Sequence, residues 1–319
     1  MLYKLMENRV YRTYTGGANI DKFYGKPVCE NSSFPEDWTA SVIKAFNPGR
    51  EDIIEGYGRI SDGSLVKDVI NGEFKCLVKL LDAAERLVIQ VHPTVEFAKK
   101  YFNSDFGKTE CWYFLNCSEG AHVYVGFKEG VTKEQWRDVF DRQDIEKMLD
   151  MLHKVPVKSG DCIFISGGVP HAIGEGCFMI EVQEPSDLMG VTERKTPSGR
   201  MIDERKLHGG IGIENMMNMF DYNTMSFDET VKNCKLFGKE LSHGVIELVG
   251  EKQTDKFSIH CLRSNGVYKT LRDKGVIIVT EGMGNINGIS VTKGERLLFD
   301  DRDEINLTGN DNFCAIVCS

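Results

Sequence analysis

Residues 86–92 read Arg86-Leu87-Val88-Ile89-Gln90-Val91-His92, and residues 108–115 read Lys108-Thr109-Glu110-Cys111-Trp112-Tyr113-Phe114-Leu115. Both runs are dense in β-branched and aromatic side chains, which suit a pleated surface better than a helix. Alternation along a strand puts Val88, Gln90 and His92 on one face of the first run. It puts Lys108, Glu110 and Trp112 on one face of the second. Each predicted strand therefore carries polar groups on an otherwise apolar face. Burying Gln90 and His92 requires partners, because a buried polar group without one is costly.

The pattern continues outward from these two runs. Cys76-Leu77-Val78-Lys79-Leu80-Leu81 predicts a preceding strand, with Asp82-Ala83-Ala84-Glu85 as the turn after it. Pro93 ends the next strand and Thr94 caps a helix over Val95 to Phe102. Ala121 to Gly126 reads as a strand, and Thr132 with Gln135 forms a capping-box pattern for one long helix from Lys133 to about Leu152. Lys158-Ser159-Gly160-Asp161 turns into the strand Cys162 to Ile165. Gly167-Gly168-Val169-Pro170 turns the chain just before His171, and Cys177 to Gln183 reads as more strand. Glu184 to Gly209 is irregular and charged, as expected of an ordered loop or a lid. Gly212 to Phe220 reads as a short helix, and from about Val245 strand and turn alternate.

Short apolar strands separated by glycine or Asp/Asn turns predict small closed barrels. The stretches Val157 to Ile165 and Val291 to Phe299 share an order of turn lysine, glycine, acid and apolar strand, which points to two related halves. The expected fold is mainly β: two β-barrels with helical insertions, divided as residues 1–210 and 211–319.

At 319 residues the chain is long enough for about two domains and a substantial core. Its 41% hydrophobic and 27% charged residues argue against a largely disordered polypeptide. Lys and Arg number 39 against 48 Asp and Glu, a net charge of −9, so nucleic acid and anionic membrane are poor partners. The N-terminus breaks into charges within a few residues and shows no signal peptide or membrane span. Ten cysteines without a CxxC pair read mostly as reduced, buried hydrophobes, and a cytoplasmic location is expected. No dinucleotide-binding glycine motif or phosphate-binding P-loop is present.

Gln90, His92, Glu110 and His171 offer oxygen and nitrogen ligands that suit a divalent ion if a barrel brings them together. Paired imidazoles favour zinc. Spacing alone leaves other ligand combinations open.

Three ordered motifs carry a resemblance: Ile89-Gln90-Val91-His92-Pro93, Gly107-Lys108-Thr109-Glu110-Cys111-Trp112-Tyr113, and Gly167-Gly168-Val169-Pro170-His171-Ala172-Ile173. Together they resemble the class I mannose-6-phosphate isomerases of the cupin superfamily, most clearly from Val78 to Gln183. Phe34-Pro35-Glu36-Asp37-Trp38 is a weaker match. The resemblance implies two cupin-like β-barrels and one zinc ion on Gln90, His92, Glu110 and His171. It also implies interconversion of mannose 6-phosphate and fructose 6-phosphate through an enediol, with a small phosphosugar as partner. Lys108 shares a strand face with Glu110 and is a candidate for moving protons. The family places an essential arginine after the third motif; Arg194 is the nearest match and Arg200 the next.

Two departures from the family pattern stand out. Val88 occupies the place of a frequent phosphate-contacting serine, and Leu188-Met189-Gly190-Val191-Thr192 replaces a segment rich in arginine and aromatics. They motivate two other expectations: an isomerase or epimerase of another sugar or sugar phosphate, and a non-catalytic cupin-like sugar-binding module.

Overall fold

Alternation sorts the side chains of the strand Glu110–Cys117 to two opposite faces, and both faces are buried. A computed structural model describes residues 1–30, 32–263, 265–270, 272–301 and 304–319. In it this strand lies in a seven-stranded sheet with the order 235–236, 162–165, 110–117, 177–183, 77–83, 36–39, 9–10. Trp112 and Phe114 face a five-stranded sheet ordered 190–191, 90–91, 171–173, 122–127, 152–156, against Val123, Val125, Val155 and Ile173. Cys111 and Tyr113 face the other way, onto Ile259, Val276, Ile278 and Ile316 of a second seven-stranded sheet. That sheet runs 2–4, 296–299, 275–281, 314–318, 259–262, 245–249, 239–242. Its far side packs Ile277, Val279 and Val317 on a four-stranded sheet ordered 266–269, 304–309, 283–286, 289–292. Four sheets thus stack face to face through three seams, an arrangement that strands buried on both sides require.

Strand order repeats between the halves. In each seven-stranded sheet the second strand follows a glycine turn, at Gly160 (φ +87°) and Gly294 (φ +90°), and is flanked on its outer side by a segment from a distant part of the chain. These are the two stretches whose sequences are alike.

The expected closed barrels are not formed. Every sheet among the described residues is open, with end strands such as Arg9–Val10, Gly190–Val191 and Leu152–Pro156 bonded on one side only. Closure requires each strand to be bonded on both sides in a continuous stagger. The end strands 190–191 and 152–156 of the five-stranded sheet find no partner on their outer sides among the described residues, and Pro156 leaves the latter without one ladder donor. Each half is therefore two facing sheets rather than one closed sheet.

Local expectations also shift. The strand Leu77–Ala83 runs through part of the predicted turn, whereas only Gln90–Val91 of the run 86–92 joins a ladder. The capping box at Thr132 and Gln135 is present, but the helix stops at Arg142, where Gln143 turns left-handed (φ +53°). Asp144 then caps Ile145–Asp150 through the Lys147 amide, and Leu152–Pro156 is a strand whose buried positions include Val155. Apolar spacing passes from helical to alternating there, which a single periodic reading merges. A helix over Phe227–Cys234, opened by a Ser226–Glu229 capping box, was absent from the sequence reading. Helices Lys133–Arg142 and Ile213–Met217 cover the outer face of the five-stranded sheet with Trp136, Phe140 and Met216 against Val91, Phe127 and Ala172. No helix among the described residues is long and apolar enough to cross a membrane.

One buried ion pair crosses the central seam. Arg296 Nη1 donates to Asp37 Oδ2 at 2.9 Å, and Tyr24 Oη and the Asn8 amide donate to the same oxygen at 3.1 Å. Removing one member of such a pair strands the other charge in the interior. Asp37→Ala is expected to lower the unfolding free energy by about 3–5 kcal/mol in urea titrations, and the pairing Asp37→Leu with Arg296→Met to recover most of that loss.

Candidate metal centre and adjoining pocket

Two facing sheets bring the candidate ligands together. His92 follows the strand Gln90–Val91, and His171 opens His171–Ile173 directly across from Gln90 in the ladder. Glu110 opens its strand in the opposing sheet, between Ile165 and Gln183. Glu110 Oε2 lies 3.1 Å from His92 Nε2, and Glu110 Oε1 lies 3.4 Å from His171 Nε2. One ligand atom from each of the three falls within 4.8 Å of the others, and all three residues are buried. Gln90 lines the cavity beside them.

Backbone carbonyls set both imidazoles. His92 Nδ1 lies 3.1 Å from Leu188 O and His171 Nδ1 lies 2.8 Å from Val169 O. A carbonyl only accepts, so each Nδ1 carries the hydrogen and each Nε2 turns a lone pair toward Glu110. The His171 Nε2 atom is buried with no hydrogen-bond partner among the described residues. Trp112 Nε1 donates to Glu110 Oε1 at 3.0 Å and fixes the carboxylate. An unpaired buried lone pair is costly, and a cation shared by two imidazoles and a carboxylate would satisfy it.

Burial, reinforced by the neighbouring Lys108 ammonium, pushes the His92 imidazole down to about 3. Burial also lowers His171. For Glu110 burial works the other way, but the Lys108 ammonium outweighs it and holds the carboxyl well below its usual range. Both rings are thus neutral donors facing an ionised carboxylate. Lys108 Nζ stands inside this group, 2.7 Å from His92 Nε2 and 2.9 Å from Glu110 Oε2.

Beside Lys108 and Gln90 opens a cavity of about 50 Å³. Its polar wall is a chain of ion pairs. Lys79 Nζ meets Glu181 Oε1 at 2.7 Å, Arg12 Nε meets Glu36 Oε1 at 3.1 Å, and Arg12 Nη2 meets Asp187 Oδ1 at 3.1 Å. Lys206 completes this wall. The opposite wall is apolar: Val88 packs with Met189, Val191, Ile202 and Leu207. The valine that departs from the family's serine is thus a packing residue here.

Five of the six residues singled out from sequence gather here: Gln90, His92, Lys108, Glu110 and His171. Arg194 does not. It is exposed, its guanidinium lies 5.7 Å from the centre of the Phe140 ring, and its amide donates to Gln143 Oε1. Arg200 is half-buried near Ser33 Oγ and Thr13 O. Sequence reading gave no role to Arg12, Glu36, Asp187, Glu181 or Lys206. Alternation in Glu36-Asp37-Trp38 could have flagged Glu36 as facing inward, but nothing local marks Lys206.

No protein-family model matches the chain. The sequence is 36% identical over 144 residues to the mannose-6-phosphate isomerase ManA of Bacillus subtilis (strain 168), covering 44% of this chain and 44% of that protein. The fold is similar to the crystal structure of the mannose 6-phosphate isomerase from Bacillus subtilis, with a TM-score of 0.75, 21% identity, and coverage of 100% of this chain and 99% of that one. It is also similar to a zinc-bound mannose 6-phosphate isomerase, with a TM-score of 0.70, 15% identity, and coverage of 99% and 98%. The chain spans about half the length of the curated relatives it matches. Fold and metal-competent cluster together define a sheet-sandwich protein with a buried His-Glu-His centre. Within that class, the chain is similar in sequence to mannose-6-phosphate isomerases over the matched part, and in fold over its whole length.

Glu36 supplies a pH test of the polar wall. Burial alone would raise its pKa, but Arg12 and Lys79 outweigh burial, and donors from Trp38 and Tyr14 add to them, leaving it far below its ordinary value of 4.5. A carboxyl depressed in the folded state stabilises above its unfolded pKa, and that stability is lost as pH falls below it. Melting temperature should therefore drop steeply below about pH 5 in the wild type and less steeply in Glu36→Gln.

Proposed function

We propose that the chain is a zinc-dependent aldose-ketose isomerase interconverting mannose 6-phosphate and fructose 6-phosphate, with Gln90, His92, Glu110 and His171 as metal ligands. The observation that carries this reading is the buried His92–Glu110–His171 cluster, with two imidazole lone pairs aimed at one carboxylate, beside a charge-rich cavity lined by Gln90 and Lys108. The names of its relatives agree with it. A zinc ion on these donors would supply a Lewis acid for substrate oxygens on which negative charge grows as a proton leaves the carbon beside a carbonyl.

The protein's own groups prepare that step. Leu188 O and Val169 O hold the rings in the tautomer that presents Nε2, so no tautomer change is needed on loading. Lys108 is the group placed to move a proton at a sugar oxygen or to steady charge there, since its ammonium reaches both the cluster and the cavity. The two sheets exclude water from Glu110, which strengthens each of these interactions.

Four cations line the site (Arg12, Lys79, Lys108, Lys206), against four carboxylates (Glu36, Glu110, Glu181, Asp187). A bound dication tips that balance toward positive and favours an anionic substrate. The apolar wall of Val88, Met189, Val191 and Ile202 favours a second reading, an isomerase or epimerase of another sugar or sugar phosphate. NMR turnover across a panel of sugars and phosphosugars decides between them, and clear preference for a sugar other than mannose 6-phosphate overturns the first.

Chelation is expected to abolish turnover while far-ultraviolet circular dichroism stays folded; turnover by rigorously metal-free protein would reject zinc catalysis. Glu110→Gln should lose bound metal and turnover together. Lys108→Met should keep the metal, measured by atomic absorption, and lose about 10²–10⁴-fold in kcat/KM.

A further inference from the structure

Lys206 belongs to the short helix Glu204–His208 and is 7% exposed. Its Nζ donates to Asn47 Oδ1 at 3.2 Å. The same oxygen accepts from Arg12 Nη1 at 3.2 Å, so the two cationic nitrogens lie no more than 6.4 Å apart and share one neutral acceptor. The other cations of the wall are matched: Lys79 with Glu181, Arg12 with Glu36 and Asp187, Lys108 with Glu110. Among the described residues, Lys206 alone in this pocket has no carboxylate within ion-pair distance. An ammonium taken out of water without an anion is costly, and a like charge close by adds to the cost. Burial first, then Arg12, pushes Lys206 down to about 8.

Donors remain unused at this place. Lys206 spends one of its three N–H groups, and Arg12 leaves one hydrogen on each terminal nitrogen. A phosphomonoester dianion offers oxygens that can accept from both side chains at once and brings the charge that Lys206 lacks. Val88 on the facing wall offers no donor, so this corner holds the unsatisfied cation of the pocket.

Resting on the reading of this cavity as the substrate site, we propose that Lys206 and Arg12, bridged by Asn47 Oδ1, form the subsite for the phosphate of the substrate. At about 50 Å³ the cavity is small for a whole phosphosugar, so the wall carrying Met189, Val191 and Ile202 must give way for the sugar to enter.

The test uses the full, metal-loaded chain with inorganic phosphate as probe, followed by calorimetry. Lys206→Met is expected to weaken phosphate binding by about tenfold to a hundredfold, and Lys206→Arg to retain it. Asn47→Asp would put a carboxylate beside the two cations, while giving up the Nδ2 hydrogen bond to Glu55 Oε2, so it should weaken phosphate binding, which keeps the proposal testable should Lys206→Met fold poorly. For mannose 6-phosphate turnover, KM should rise in Lys206→Met by a larger factor than kcat falls. Phosphate binding that is absent from the wild type, or equal in Lys206→Met or Asn47→Asp, overturns the subsite. A wild type that binds phosphate through Lys206 yet turns over no sugar phosphate overturns the isomerase reading and leaves the anion subsite standing.

Discussion

Glu110 is an ionised carboxylate held between two β-sheets, and the need to compensate that charge organises what surrounds it. Lys108 and Trp112 donate to it from its own segment of chain, while His92 and His171 aim Nε2 lone pairs at it from the facing sheet, an arrangement that a cation between them would reconcile. The arrangement is possible because the strand Glu110–Cys117 is buried on both faces, with one face apolar against the second half and the other carrying Glu110 beside Trp112 and Phe114. Exclusion of water makes each contact strong and makes any missing contact expensive. His171 Nε2 is the contact still missing within the protein, which is why its geometry speaks for a cation.

The two halves use one strand order for different ends. In the first, the seam between the sheets grades from apolar side chains at Val123 and Met179 to the charged wall of Lys79, Glu181 and Glu36. In the second, the corresponding seam includes Leu262, Ile277, Leu297, Ile305 and Val317. Chemistry is thus concentrated in one seam, while the other contributes apolar burial; Arg296 of the second half anchors Asp37 across the central seam.

Much of the site was legible in sequence because its signals are local. Alternation put Gln90 with His92 and Lys108 with Glu110, and the turn before His171 fixed where the third strand begins. Sheet closure was not legible: it depends on whether the outermost strands meet, which no short-range pattern encodes; only Pro156, on an outer strand, weighs locally against it. The break at Gln143 escaped because the residues on both sides suit a helix. Arg12, Asn47 and Lys206 meet across more than 150 positions of sequence, and only the folded chain shows one carbonyl oxygen serving two cations.

The outermost strands Leu2–Lys4 and Lys235–Leu236 each join a sheet built chiefly from the other half. During synthesis, then, the strand Leu2–Lys4 waits without its hydrogen-bonding neighbour until residues 296–299 emerge, almost three hundred positions later. The sheet holding Glu110 likewise waits for residue 236. Assembly of the two halves is interlocked in time, which favours slow maturation and exposes bare strand edges on the nascent polypeptide.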